Sequence, residues 1–207
     1  MKIHLISDIH TEVDKKLVLT APLEADLIVL AGYIANGTDG VAWAQQCYGT
    51  DIPVVYICGN HEFYYNEISL RKDIAKCAAG TNIHFLDNQS KVIDGVRFIG
   101  TTLWTSFDDW SDQLIINYLH QQMNDYNFIK ATDFYANSTL VEQATTIQKD
   151  SLESALAKKG LLVPIITYMK HIEAVQYLKT ELSNPFNGKT VVVTHHAPSP
   201  IPHPTTL

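Results

Sequence analysis

Long apolar runs are missing from this 207-residue chain. The N-terminus, "MKIHLISDIH", reaches Asp8 before any stretch of signal-peptide length, and no later segment has the length of a membrane span. A cytoplasmic location and no membrane partner are the expectations that follow. Cysteine is scarce: Cys47, Cys58 and Cys77 are odd in number and no two are closely spaced. That argues against a disulfide or zinc framework and for reduced, mostly buried thiols. Positive charge is also short, with 15 Lys and Arg against 22 Asp and Glu, so the formal charge is −7 and no general nucleic-acid surface is expected. A bound phosphate therefore needs a local cation. No internal repeat, low-complexity tract or linker divides the chain, and one domain over residues 1–207 is expected.

Short apolar runs at 3–7, 26–31, 53–58, 83–86, 96–100 and 190–194 predict buried strands. Helical patterns lie between the early ones. Val41, Ala42, Ala44, Gln45 and Tyr48 mark one that Gly49 ends, and residues 68–79 form another that Gly80 ends. Strand and helix alternate through the first ~90 residues, as a parallel βαβ sheet requires. "KVIDGVRFIG" reads as a hairpin turning at Asp94 and Gly95, which suggests an antiparallel second sheet. Residues 139–183 predict a helical pair. A capping box, Thr139 with Glu142, opens the first helix, and its stripe is Leu140, Ala144, Ile147 and Ala155. Gly160 closes it, Pro164 suits the next first turn, and Ile165, Met169, Ile172, Val175, Leu178 and Leu182 follow at helical spacing. Both helices are amphipathic, so they cover either a sheet or a substrate site.

Three motifs each follow an apolar strand at its carboxyl end: "SDIH" (7–10), "CGNHE" (58–62) and "VVVTHHAP" (191–198). Loops converge at that end of an open α/β sheet and ligands collect there. Asp8, His10, Asn60, His61 and His195 are therefore expected to meet in space, whereas His196 points elsewhere if the strand persists. Oxygen donors mixed with imidazoles suit Mn, Fe, Zn or Mg.

The order of these motifs, with "LIVLAG" ending a strand between the first two, resembles the calcineurin-like metallophosphoesterases. The resemblance runs from residue 3 to about residue 200, and "GTTLWTSF" and "MNDY" are similar to segments of one bacterial branch. It implies an α/β fold, a four-layer αββα sandwich, and hydrolysis of a small phosphoester, mono- or diester, at a binuclear metal centre. Residue by residue, it implies that Asp8 and His10 bind the first metal and Asn60 and His195 the second. His61 would stand by the departing oxygen with Glu62 behind it. Two cations a few Å apart activate water at neutral pH and stabilise the phosphoryl oxygens, and a positioned His adds ~10²-fold or more.

Two departures from the family pattern bear on function. In "VLAGYIANG", Tyr33 stands where the family has the Asp that bridges both metals. A neutral phenol neither fixes the metals' separation nor offsets their charge, so its ring is expected to fill part of the pocket or swing out of it. The family's closing Gly-His-x-His motif is also absent from the sequence. The second sheet is then expected to be incomplete, with strand 190–194 short of a neighbour and open to homo-oligomer formation. Two functional readings follow: a phosphoesterase of reduced activity, or a non-catalytic module for binding or assembly on the same fold. Each metal keeps two recognisable protein ligands where catalytic zinc sites usually keep three. Fewer than two equivalents of metal should remain after dialysis, as elemental analysis would measure.

Overall fold

The computed structural model describes residues 1–147 and 160–199. Sheet A holds β1 (Ile3–Ile6), β2 (Leu27–Ala31), β3 (Val54–Ile57) and β4 (Ile83–Phe85), all parallel and in chain order. Helix α1 (Asp39–Tyr48) crosses from β2 to β3, and α2 (Arg71–Ala78) from β3 to β4. Each ends near a glycine of positive φ, Gly49 at 64° and Gly80 at 79°. The two central strands are closed to water on both faces, as their unbroken apolar runs require.

Sheet B holds β5 (Gln89–Ile93), β6 (Val96–Thr101) and β7 (Lys189–Thr194). Asp94 and Gly95, both at positive φ, make the two-residue turn from β5 to β6. The sheet is mixed rather than antiparallel, because β7 returns from far along the chain and pairs parallel with β6. Leu27, Val29, Val55, Ile57 and Leu86 of sheet A and its exit pack against Ile93, Phe98 and Val193 of sheet B. The opposite face of sheet A, with Ile28, Leu30, Val54 and Tyr56, packs against the helices. Edge strand β1 departs from the buried strand expected: Ile3 and Leu5 are exposed. They are in register with Leu27 and Val29, but sheet B does not reach over them among the described residues.

Residues 105–135, to which no element was assigned, form four short helices: α3 (Phe107–Trp110), α4 (Gln113–Gln122), α5 (Asp125–Phe128) and α6 (Thr132–Tyr135). Asp112 caps α4 by accepting from the amides of Leu114 and Ile115 at 2.9 and 3.1 Å. Helix α7 (Ser138–Ile147) begins before the expected capping box, and the side chain at its start is Asn137, which accepts from Leu140 N at 3.2 Å. Ala155, and residues 148–159 with it, lie outside the described residues.

Helix α8 (Pro164–Ser183) starts at the expected proline, but its first turn is buried all round, so the predicted stripe is only partly its inner face. Ile172 and Leu182 are exposed. The C-terminal half of α8 lies on the outer face of sheet B, where Arg97 donates to the carbonyls of Glu181 and Asn184 at 3.1 Å each. Its place is that of an outer layer. Of the cysteines, Cys58 alone is fully buried; Cys47 is half-buried and Cys77 exposed.

The layers close tightly at Gly100. A β-carbon there would come within 2.5 Å of Leu86 Cβ and 2.7 Å of Ile57 Cγ2. Gly100→Val should therefore destabilise the fold by about 1–3 kcal/mol through overpacking, read as a lower midpoint in urea at unchanged slope.

Candidate metal centre

The loops leaving β1, β2 and β3 are joined by their own backbones. Asp8 N donates to Gly32 O at 3.2 Å, His10 N to Tyr33 O at 3.3 Å and Thr11 N to Ile34 O at 3.0 Å. Glu62 joins β2's loop to β3's. Its Oε2 accepts from Tyr33 N at 3.0 Å and Gly59 N at 2.7 Å, and its Oε1 from Ile34 N at 2.8 Å and Tyr56 OH at 3.1 Å. This carboxylate is wholly buried, so Glu62, expected behind His61, instead positions main chain and touches nothing that reacts. Burial pushes its carboxyl pKa up, and the hydrogen bonds from Ile34, Gly59 and Tyr56 pull it back.

His195, one residue past β7, lies flat on two glycines. A β-carbon on Gly59 would meet its Cε1 and Nε2 at 2.7 Å, and one on Gly32 would meet its Nδ1 at 2.7 Å. Gly32 also needs its φ of +88°. The glycines of "LAG" and "CGN" thus serve the approach of an imidazole from the other sheet.

His195 Nδ1 lies 2.9 Å from Ala31 O, and its Nε2 lies 3.3 Å from Asn60 Oδ1. Asn60 Nδ2 donates to Asp125 Oδ1 at 2.7 Å, so its oxygen is the atom turned to the ring. A carbonyl only accepts, and a neutral imidazole has one N–H. With that N–H given to Ala31 at the shorter distance, the bare Nε2 and the bare Oδ1 converge. Two lone pairs held so close fit a cation between them. Asp8 and His10 stand at the neighbouring loop; Asp8 is exposed and accepts from the Ser7 hydroxyl.

Tyr33 holds a φ of 62°, and its ring is wedged into the angle between His10 and His61, with centroids at 3.6 and 3.3 Å. His61 stacks on its other side against Tyr64 at 3.8 Å. The phenol therefore occupies space beside His10, but its ring is 6.1 Å from that of His195. The donor set fits a divalent cation at the Asn60 and His195 side; at the Asp8 and His10 side the aromatic ring crowds it.

Glu12 and Asp125 are site residues that the sequence reading missed. Glu12 Oε1 lies 3.1 Å from His10 Nδ1 and 3.8 Å from His61 Nδ1, and its buried Oε2 has no hydrogen-bond partner among the described residues. His10, Glu12 and His61 bring ligand atoms within 4.8 Å of one another and could hold a metal ion. The signal was present, since Glu12 extends "DIH" to Asp-x-His-x-Glu. Burial first, then the imidazoles of His10 and His195, lowers the His61 pKa to about 4, with Asp8 pulling the other way. Its ring is neutral near pH 7, so the contact with Glu12 is no ion pair there. His196 turns from the cluster: its Nδ1 lies 3.1 Å from Thr102 O and its ring stacks on Trp104.

The sequence matches the calcineurin-like phosphoesterase family over residues 1–205. The chain belongs to that family. Its members are hydrolases acting on phosphoric esters and bind divalent metals, and the parallel sheet packed on a second sheet agrees with their fold. "Uncharacterized protein L509" of Acanthamoeba polyphaga mimivirus is 26% identical over 213 residues, a match covering 93% of this chain and 66% of that protein, just under two thirds of its length. Among the described residues no helix is long and apolar enough to cross a membrane.

Glu62→Gln turns an amide nitrogen toward donors it cannot satisfy. The loss should be about 3 kcal/mol in chemical denaturation, since a buried group left unpaired costs ~1–3 kcal/mol and a charged network more.

Proposed function

We propose that this chain hydrolyses a phosphoester, mono- or diester, with divalent cations held by Asp8, His10, Asn60 and His195, at a rate that Tyr33 depresses. Family membership supports the reaction class. The observation that carries the assignment to these residues is the convergence of His195 Nε2 and Asn60 Oδ1 at 3.3 Å; both accept in the tautomer whose Nδ1–H goes to Ala31 O. Bound divalent cations, Mn, Fe, Zn or Mg, supply Lewis acidity to the phosphoryl oxygens and ease deprotonation of water.

The chain's own groups do the rest. Asn60 and His195 present their lone pairs from fixed orientations, so little reorganisation is left when charge develops. His61, neutral and gripped between Tyr33 and Tyr64, has one N–H to offer the departing ester oxygen. Tyr33 acts against them. It brings no carboxylate, and its ring crowds the face of His10 that a shorter side chain would leave open.

That crowding also favours the second reading, a non-catalytic module that keeps one cation or phosphate point. Tyr33→Asp separates the two. With added Mn, hydrolysis of an aryl phosphate or aryl phosphodiester should be slow in the wild type and rise at least ~10-fold in Tyr33→Asp, a restored electrostatic contribution of ordinary size. No hydrolysis by either chain with Mn bound would assign the module.

A further inference from the structure

Asp125 opens the four-residue helix α5, more than sixty residues from the motif it serves. It is 2% exposed, and one oxygen, Oδ1, accepts both from Asn60 Nδ2 and from Tyr64 OH, each at 2.7 Å. An asparagine amide has two nearly isosteric orientations, and only its hydrogen bonds choose between them. On the side of His195 either orientation could be accommodated: the oxygen faces a bare nitrogen now, and a flipped amide would donate an N–H to that same nitrogen. The flipped form would be the better paired of the two without a cation. What holds the other form is the carboxylate behind it, which can only accept.

We infer that Asp125 is a positioning residue that fixes the Asn60 amide with its oxygen toward His195, and that this orientation gives the pair its cation affinity. The inference rests on the phosphoesterase reading for its purpose but not for its geometry. Asp125 touches neither His195 nor the place of the substrate; it acts through Asn60. Tyr64 joins the same oxygen and also stacks on His61, so one buried acceptor ties the amide to the histidine's platform. Burial raises the Tyr64 phenol pKa, and the bond to Asp125 raises it further, so the hydroxyl stays protonated and remains a donor.

The test uses the full chain, with Asp125→Leu and Asp125→Asn. Leucine keeps the branching at Cγ, is larger, and removes the acceptor. Asparagine keeps a carbonyl oxygen that Tyr64 can hold in place. Calorimetric titration with Mn²⁺ should show the Leu variant at least ~10-fold weaker than wild type, the usual effect of losing a group that orients a ligand, and the Asn variant within about threefold. A role in packing alone would leave the orientation of the Asn60 amide unchanged in both variants. In metal-free protein, nuclear Overhauser contacts from the Asn60 side-chain amide protons should run to the Tyr64 ring in wild type and to the His195 ring in Asp125→Leu. Asp125→Ala carries the same comparison if circular dichroism shows the Leu variant unfolded. Equal Mn²⁺ affinity in wild type and the acceptor-free variant, unchanged Overhauser contacts, or no Mn²⁺ binding by wild type would each overturn the inference. Hydrolysis absent from wild type and from Tyr33→Asp, with Mn²⁺ bound and lost on removing the acceptor, would overturn the phosphoesterase reading and uphold this one.

Discussion

Everything at the centre hangs on one buried carboxylate. Glu62 takes four hydrogen bonds, three from backbone amides at the ends of β2 and β3 and one from Tyr56 inside the core. Those amides belong to Tyr33, Ile34 and Gly59, and so the carboxylate sets where two loops leave the sheet. The third loop follows, because Asp8, His10 and Thr11 are hydrogen-bonded to Gly32, Tyr33 and Ile34. An ionised group in the interior is expensive unless its lone pairs are filled, and here they are filled by donors that secondary structure leaves over. The site is thus organised from behind, by a residue that no substrate would meet.

This support explains why Tyr33 lies where it does. The backbone at residue 33 is held at φ 62° by Glu62 and by His10 N, a conformation that costs a non-glycine residue about 1 kcal/mol or more. With the main chain held, the side chain has a single direction to leave in, toward His10 and His61. A carboxylate on that backbone would be short enough to sit among imidazoles. A phenol is longer, and it stacks on two of them instead. A neutral ring stands there against His61, whose pKa burial and the imidazoles of His10 and His195 push down.

The fold was legible where period and punctuation agreed. Strands β2, β3, β4 and β6 were marked by apolar runs, α1 and α2 by glycine stops, and the β5 to β6 turn by Asp94-Gly95. Two things were not legible for physical reasons. The parallel pairing of β7 with β6 depends on a contact across about ninety residues, and no local pattern encodes it. Helix α4 exposes Leu114, Ile115 and Tyr118, so its apolar positions mark no single buried face. At the candidate site, the placement of Asp8, His10, Asn60, His61 and His195 on neighbouring loops could be read because each follows a strand in a motif. Glu62 follows His61 in sequence, yet its carboxylate faces the other way on a tight turn, onto the amides of Tyr33, Ile34 and Gly59, which adjacency alone does not reveal. Asp125 was quoted within "MNDY" without a role, because what it does exists only once α5 has been folded against β3's exit.

The side chains gathered at the candidate centre are mostly imidazole, amide and phenol rather than carboxylate: His10, Asn60, His195 and Tyr33. Their affinity has to come from orientation and from negative charge one bond further back. Two of them have a carboxylate behind them, Glu12 for His10 and Asp125 for Asn60, and His195 has the Ala31 carbonyl. A carboxylate acting through an amide or an imidazole polarises it and strengthens its lone pair, though less than direct contact would. Asp8 is then the only carboxylate among the expected ligands. With Glu12 and Asp125 it brings three negative charges, more than one dication carries and one short of what a pair would carry. An anionic phosphoester arriving at the site carries the charge that balances it. Under the phosphoesterase reading, a second cation would then bind more tightly with the anionic ester present than without it.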